Sequence, residues 1–174
     1  CRQYTNLLIY ELPIGDFADT MARQFLVDAF DVEFFTALSR SADATLAAIA
    51  AKALKESRYH LRRSQDWILR LGDGTEESHQ RIQRGFDKVW GYSHELFAMH
   101  AAEQGLADAG VAVDRAALQN AWDEKVNAVL AQATLVRPAG DWSVQGGREG
   151  IHTEHLGYLL AELQFVQRAY PGLQ

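Results

Sequence analysis

Four side chains on one stretch pose the chemical question: Lys52, Glu56, Tyr59 and His60. With Asp43–Leu71 helical, Glu56 and His60 stand one turn apart, and Ile49, Ala53 and Trp67 share their flank. A carboxylate and an imidazole beside an apolar stripe are components of a metal site inside a helical bundle. Di-iron carboxylate bundles use about four carboxylates and two histidines, with Glu-x-x-His on two of the helices. Here the residue three after Glu56 is Tyr59, and the histidine falls one position later. Asp28 and Asp31, one turn apart on the preceding segment, supply two more acids.

Lys52, one turn before Glu56, argues against a metal. An ammonium held among carboxylates repels iron and neutralises the acids, which is how an interior tolerates them. Two readings follow. In the first, Asp28, Asp31, Lys52, Glu56, Tyr59 and His60 form a buried salt-bridge network at a degenerate di-iron-like position. In the second, Asp28, Asp31, Glu56 and His60 bind iron. The first is the expectation, with no catalytic, cofactor-binding or metal residue in this chain. On that reading Lys52→Ala strands buried charge and costs several kcal/mol.

The remaining constellations carry bland alternatives. Glu76-Glu77-Ser78-His79 contains Glu-x-x-His, but in a first helical turn, where acids complement the dipole. His94 and His100 have no carboxylate at matching spacing. His152, Glu154 and His155 cluster at a helix start, yet no third zinc ligand shares the histidines' side, so capping and loop packing are expected. Gln145-Gly146-Gly147-Arg148-Glu149-Gly150 precedes a helix, as anion-cradling loops do, although most such loops are plain turns. Lys55, Arg58, Arg62 and Arg63 make a basic run, either a solvated face or a docking surface for an acidic partner.

These residues need helices to position them. Asp43 is a good N-cap for the Lys52–His60 segment, and Gly72 stands at its end. Asp16 caps a second helix, Phe17 to about Ser39, with Asp19 at the third helical position. Phe17, Met21, Phe25, Leu26, Phe30, Phe34, Phe35 and Leu38 run round much of its circumference, which predicts burial on more than one side. The short Ser39–Asp43 link makes the two helices an antiparallel hairpin. Thr75 opens a third region to about Ala109, punctuated by Gly85, Gly91 and Gly105 into two pieces. Asp114 opens a fourth, with Leu118, Trp122, Val126 and Val129. After a loop from Leu135 to Gly150, Thr153 caps a last helix with Leu156, Leu160, Leu163 and Val166 on one face. No stretch alternates with period two. The chain is predicted to be one all-α domain over residues 1–174.

Bulk properties narrow the function classes. Apolar residues at 48% and charged ones at 23% describe an ordered globular chain. A net charge of -6 disfavours nucleic acid, and no apolar run reaches bilayer length. Cys1 is the only cysteine, which excludes an internal disulfide or thiolate metal site and suits the cytoplasm. The start at Cys1, with neither Met nor a signal pattern, leads us to expect a preceding segment.

Several blocks together carry a family resemblance. They are Asn6-Leu7-Leu8, Gly15-Asp16-Phe17-Ala18-Asp19-Thr20-Met21-Ala22-Arg23-Gln24, Ala47 through Glu56 with Arg58-Tyr59-His60-Leu61-Arg62, Leu71-Gly72-Asp73-Gly74-Thr75, and Gly146-Gly147 with Gly150 through Gly157 and Gln167-Arg168. Over the whole chain they resemble the PaaC subunits of bacterial phenylacetyl-CoA 1,2-epoxidase, the multicomponent oxygenase of aerobic phenylacetate degradation. The resemblance implies a ferritin-like helical bundle with extra C-terminal helices and roughly two further helices ahead of Cys1. It implies a partner, the catalytic PaaA subunit, which holds the di-iron centre and binds the acyl-CoA. This chain would then carry no cofactor and would stabilise that partner within a cytoplasmic heteromer. Two rivals stand beside it: a subunit that binds iron itself, and an acyl-CoA-binding regulatory module using Arg148 and the basic helix face. Cys1 departs from the family's usual polar residue without touching a motif.

Overall fold

The computed structural model of the chain describes residues 4–172. Helix α1 (Phe17–Leu38) opens on a reciprocal capping box: Asp19 N–H donates to Asp16 Oδ1 at 2.9 Å, and Asp16 N–H donates to Asp19 Oδ2 at 3.1 Å. Its apolar circumference is buried by helices on several sides, and α2 (Ala44–Gly72), α3 (Glu76–Ser93) and α5 (Gln119–Gln132) all pack against it. This makes α1 the hub. Helix α2 does not share that role, because it buries only a narrow stripe of Ala50, Leu54, Ser57, Leu61, Ser64 and Ile68. A helix with one narrow stripe can face one neighbour layer, whereas α1 can face several.

Asp43 caps α2 through hydrogen bonds from Thr45 N–H and Leu46 N–H to its Oδ1, at 2.8 and 2.9 Å. Gly85 and Gly91 lie inside α3 rather than breaking it. At Gly91 a Cβ would run into the Trp142 ring, so glycine there admits the long loop against the helix. The region does divide as expected, into α3, a 3-10 turn (His94–Phe97) and α4 (Ala101–Asp108). A further 3-10 turn, Ala116–Leu118, leads into α5. Trp122 ties α5 to α1 by donating from Nε1 to Leu26 O at 2.9 Å, and it packs on Phe97 at 5.4 Å.

Helix α6 (His155–Ala169) is different in kind, with only Leu156 buried. Leu163, Phe165 and Val166 are 65%, 63% and 59% exposed. The apolar face read from the sequence exists, but no described element covers it. Thr153 does not cap α6 with its side chain; its hydroxyl donates to Glu11 Oε2 at 2.9 Å. Among the described residues there is no strand, and the all-helical architecture is consistent with a ferritin-like bundle. No described helix is long and apolar enough to cross a membrane.

Candidate functional site

The four side chains that posed the question face outward. Lys52, Glu56, Tyr59 and His60 are all exposed, because Leu54, Ser57 and Leu61 take the inward positions of the same turns. Neither Lys52 nor Glu56 makes an ion pair among the described residues. The expected buried network through Lys52 is therefore corrected: a lysine on the outer edge of α2 is solvated and has no buried acid to neutralise. Nor do the rival ligands Asp28, Asp31, Glu56 and His60 assemble. Among the described residues no three His, Cys, Asp or Glu side chains converge on one point, so the residues present do not fit a di-iron centre.

Asp28 and Asp31 do stay together on α1. Asp28 is buried; Gln24 Nε2 donates to its Oδ1 at 2.7 Å, while Oδ2 has no partner. Ser64 is close by, but its hydroxyl donates to Leu61 O at 3.1 Å. Burial pushes the Asp28 carboxyl up despite Ser64 and Gln24. Asp31 rises to about 6, first through burial and then through the Asp28 charge. Burial and the nearby Asp31 likewise push the Tyr10 hydroxyl to about 12. The Arg115 charge acts on Asp31 and the Arg63 charge on Asp28; the Arg115 guanidinium lies beside the stacked Phe30 and Phe34 rings, 5.3 and 5.4 Å from their centres.

A second group of acids binds loops together. Glu95 is 2% exposed. Its Oε1 accepts Gly146 N–H at 2.9 Å and Gly147 N–H at 2.8 Å, and its Oε2 accepts Leu8 N–H at 2.7 Å. The glycine-rich loop does cradle an anion, and the anion is the chain's own carboxylate. Glycine is required there: Gly146 has φ 122, and a Cβ on Gly147 would collide with Asn6 O. Arg148, the residue that the rival acyl-CoA-binding reading would use, pairs with Glu103 and donates to Ala98 O at 3.2 Å.

Glu11 is the other anchor. It accepts hydrogen bonds from Asn6 Nδ2 at 2.7 Å, His152 Nδ1 at 2.6 Å, Thr153 N–H at 2.8 Å and Thr153 Oγ1 at 2.9 Å. The other ring nitrogen of His152, Nε2, lies 2.8 Å from Tyr4 O. Both partners of the ring are acceptors, so satisfying both requires the doubly protonated imidazolium. Burial would lower the His152 pKa, but hydrogen bonds to Glu11 and Tyr4 hold it above the ordinary histidine value. Burial would raise Glu11, yet the bonds from Thr153, His152 and Asn6 hold its carboxyl below the usual range.

Of the expected trio, only His152 is engaged in this knot, while Glu154 is exposed. His79 closes the α2–α3 turn with Nδ1 2.8 Å from Gly72 O, and His94 Nε2 is buried without a partner. Sequence reasoning missed Glu11 and Glu95. The usable signal is a lone carboxylate inside a short apolar run, as in Leu7-Leu8-Ile9-Tyr10-Glu11-Leu12, or at the head of one, as in Glu95-Leu96-Phe97.

Comparison with known proteins sets these features in a family. The chain is similar to the C-type subunit of 1,2-phenylacetyl-CoA epoxidase from Escherichia coli (strain K12), with 49% identity over 173 residues, 99% of this chain and 70% of that protein. The family model described as phenylacetic acid catabolic protein matches residues 1–174. An all-helical chain matched from end to end in this way belongs to the phenylacetic acid catabolic protein family.

Proposed function

We propose that this chain is a non-catalytic, structural subunit of a cytoplasmic di-iron oxygenase complex that epoxidises the ring of phenylacetyl-CoA in phenylacetate catabolism. Its task is to bury and hold a catalytic, iron-bearing PaaA-type subunit. The observation that carries this reading is the likeness to an epoxidase subunit over nearly the whole chain. Two features of the molecule support it. The acids that would ligate iron are divided between the interior of α1 and the outer surface of α2. The apolar side chains of α6, including Tyr158 at 73% exposure, suit burial against another protein. An obligate interface of this kind buries about 2,000 Å² or more and is rich in apolar surface. The acyl-CoA-binding alternative loses support because Arg148 already holds Glu103.

The test is co-purification with the candidate catalytic subunit, followed by epoxide formation with and without this chain. Association, with activity that falls when the chain is left out, is the expected result. Near-stoichiometric iron in the isolated chain, or undiminished epoxidation without it, overturns the proposal.

A further inference from the structure

Outside α2, six Lys and Arg side chains are tied into ion pairs: Arg81, Arg84, Lys88, Lys125, Arg137 and Arg148. Helix α2 itself carries six Lys and Arg, and among the described residues none of them is in one. This is not for want of neighbours at helical spacing. Lys52 precedes Glu56, Arg62 precedes Asp66, and Asp66 precedes Arg70, each by one turn, yet none of these pairs closes. Instead Arg62 lies 6.0 Å from the Tyr59 ring and Arg70 lies 5.3 Å from Trp67, so the aromatic rings hold two guanidinium groups on the helix surface.

Charge is also strongly segregated along the chain. With six cations against Glu56 and Asp66, α2 has a net charge of +4 in a chain of -6, which leaves -10 for everything else. Arg58, Arg62, Arg63 and Arg70 are all exposed. Tyr59, Arg62, Arg63, Asp66, Trp67 and Arg70 line a shallow depression of about 320 Å³. It is open to solvent and polar, unlike the concave, mostly apolar pockets that enclose small ligands. Arginine with interleaved tyrosine and tryptophan is the composition of protein–protein contact surfaces. The acidic remainder of the molecule disfavours a nucleic acid or an anionic membrane as the occupant.

We propose that the Arg58–Arg70 ridge of α2 is a docking surface for a carboxylate-rich surface on another protein subunit. This rests on the subunit reading above and adds to it where one contact lies and what its chemistry is. The apolar α6 face supplies buried area; the α2 ridge supplies orientation and salt-sensitive attraction. Bidentate guanidinium–carboxylate pairs set register, and they reject partners whose surface at that place is basic.

The experiment compares the full subunit assembly carrying wild-type chain with one carrying R58E/R62E/R63E/R70E. Affinity for the co-expressed subunits is measured from low to high salt. We expect the charge-reversed chain to bind roughly tenfold or more weakly, and to lose most of the salt dependence of the wild type. All four positions are exposed and only the Arg63 charge acts on a buried group, Asp28, so a melting temperature close to that of the wild type should accompany the loss. A reversed chain that misfolds is replaced by R58Q/R62Q/R63Q/R70Q, for which a smaller loss in the same direction is expected. Wild-type and reversed chains binding alike, with the same salt response, overturn the ridge. A wild type that fails to associate at all overturns the subunit reading instead. Two controls name other occupants, and either positive result overturns the protein-partner assignment: saturable binding of coenzyme A to the isolated wild type that the reversal abolishes, or self-association that the reversal abolishes.

Discussion

The interior holds two acid groups that differ in their surroundings. Glu11 and Glu95 sit where loops meet, and every oxygen of both faces a donor from a distant part of the chain. Asp28 and Asp31 sit on one helix, with Gln24 from the same helix as the hydrogen-bond donor and one Asp28 oxygen left over. Backbone N–H groups are fixed donors that cannot turn away, so a carboxylate among them gains enough to offset its desolvation. A carboxylate facing helix side chains gains less, and its pKa rises. Burial of an acid therefore has no single sign for stability. The donors decide it.

The comparison is broken most directly at Glu95. Glu95→Ala strands three backbone N–H groups in the interior and should cost about 3 kcal/mol or more by chemical denaturation. It should also open the Gly146–Gly147 loop to proteolysis. An unaltered denaturation midpoint would remove Glu95 as an anchor.

Glu11→Gln keeps the shape and removes the charge, with an expected loss of about 1–3 kcal/mol near neutral pH. The pH dependence is set by both members of the knot. Glu11 titrates below its usual range when folded, so its contribution is present above the unfolded value and disappears as pH falls through the folded one. His152 titrates above 6.5 when folded, so its contribution is complete below that value and is lost as pH rises through the raised one. The charged groups acting on the ring are Glu11 and, more weakly, Glu95. A His152→Phe chain should thus differ most from wild type in mildly acidic solution, and the gap should narrow on the alkaline side. A gap constant with pH would show that the imidazolium is not what holds Tyr4.

The α1 pair should behave oppositely. Asp31 is protonated at higher pH when folded, so stability falls as pH rises from 3.8 to about 6. Asp31→Asn should flatten that slope, and Asp28→Asn should leave the chain as stable as before or more so at pH 7. A clear loss for both would place these acids with Glu11 and Glu95. The smallest effect belongs to Lys52→Ala, within about 0.5 kcal/mol because the side chain is exposed.

Much of this fold is readable from local chemistry. The Asp16–Asp19 box, the Asp43 cap and the Phe17–Leu38 apolar circumference each act within a few residues, and all three appear where expected. The candidate site was harder. A helical spacing says which residues share a flank, yet that flank can face either the core or water. Lys52, Glu56 and His60 share one side of α2, and it is the outer one, because the Leu54–Leu61 stripe faces α1. Glu11 and His152 are 141 positions apart, a separation that no motif spans.

Sequence alone determined the helices, the Asp16 and Asp43 caps and the charge carried by α2, since propensity, capping and composition are properties of neighbouring residues. Only the tertiary structure decided which acids are satisfied. That depends on donors brought from remote segments, such as the Gly146 and Gly147 amides closing on Glu95, and a local pattern holds no record of what will arrive from the other end of the chain.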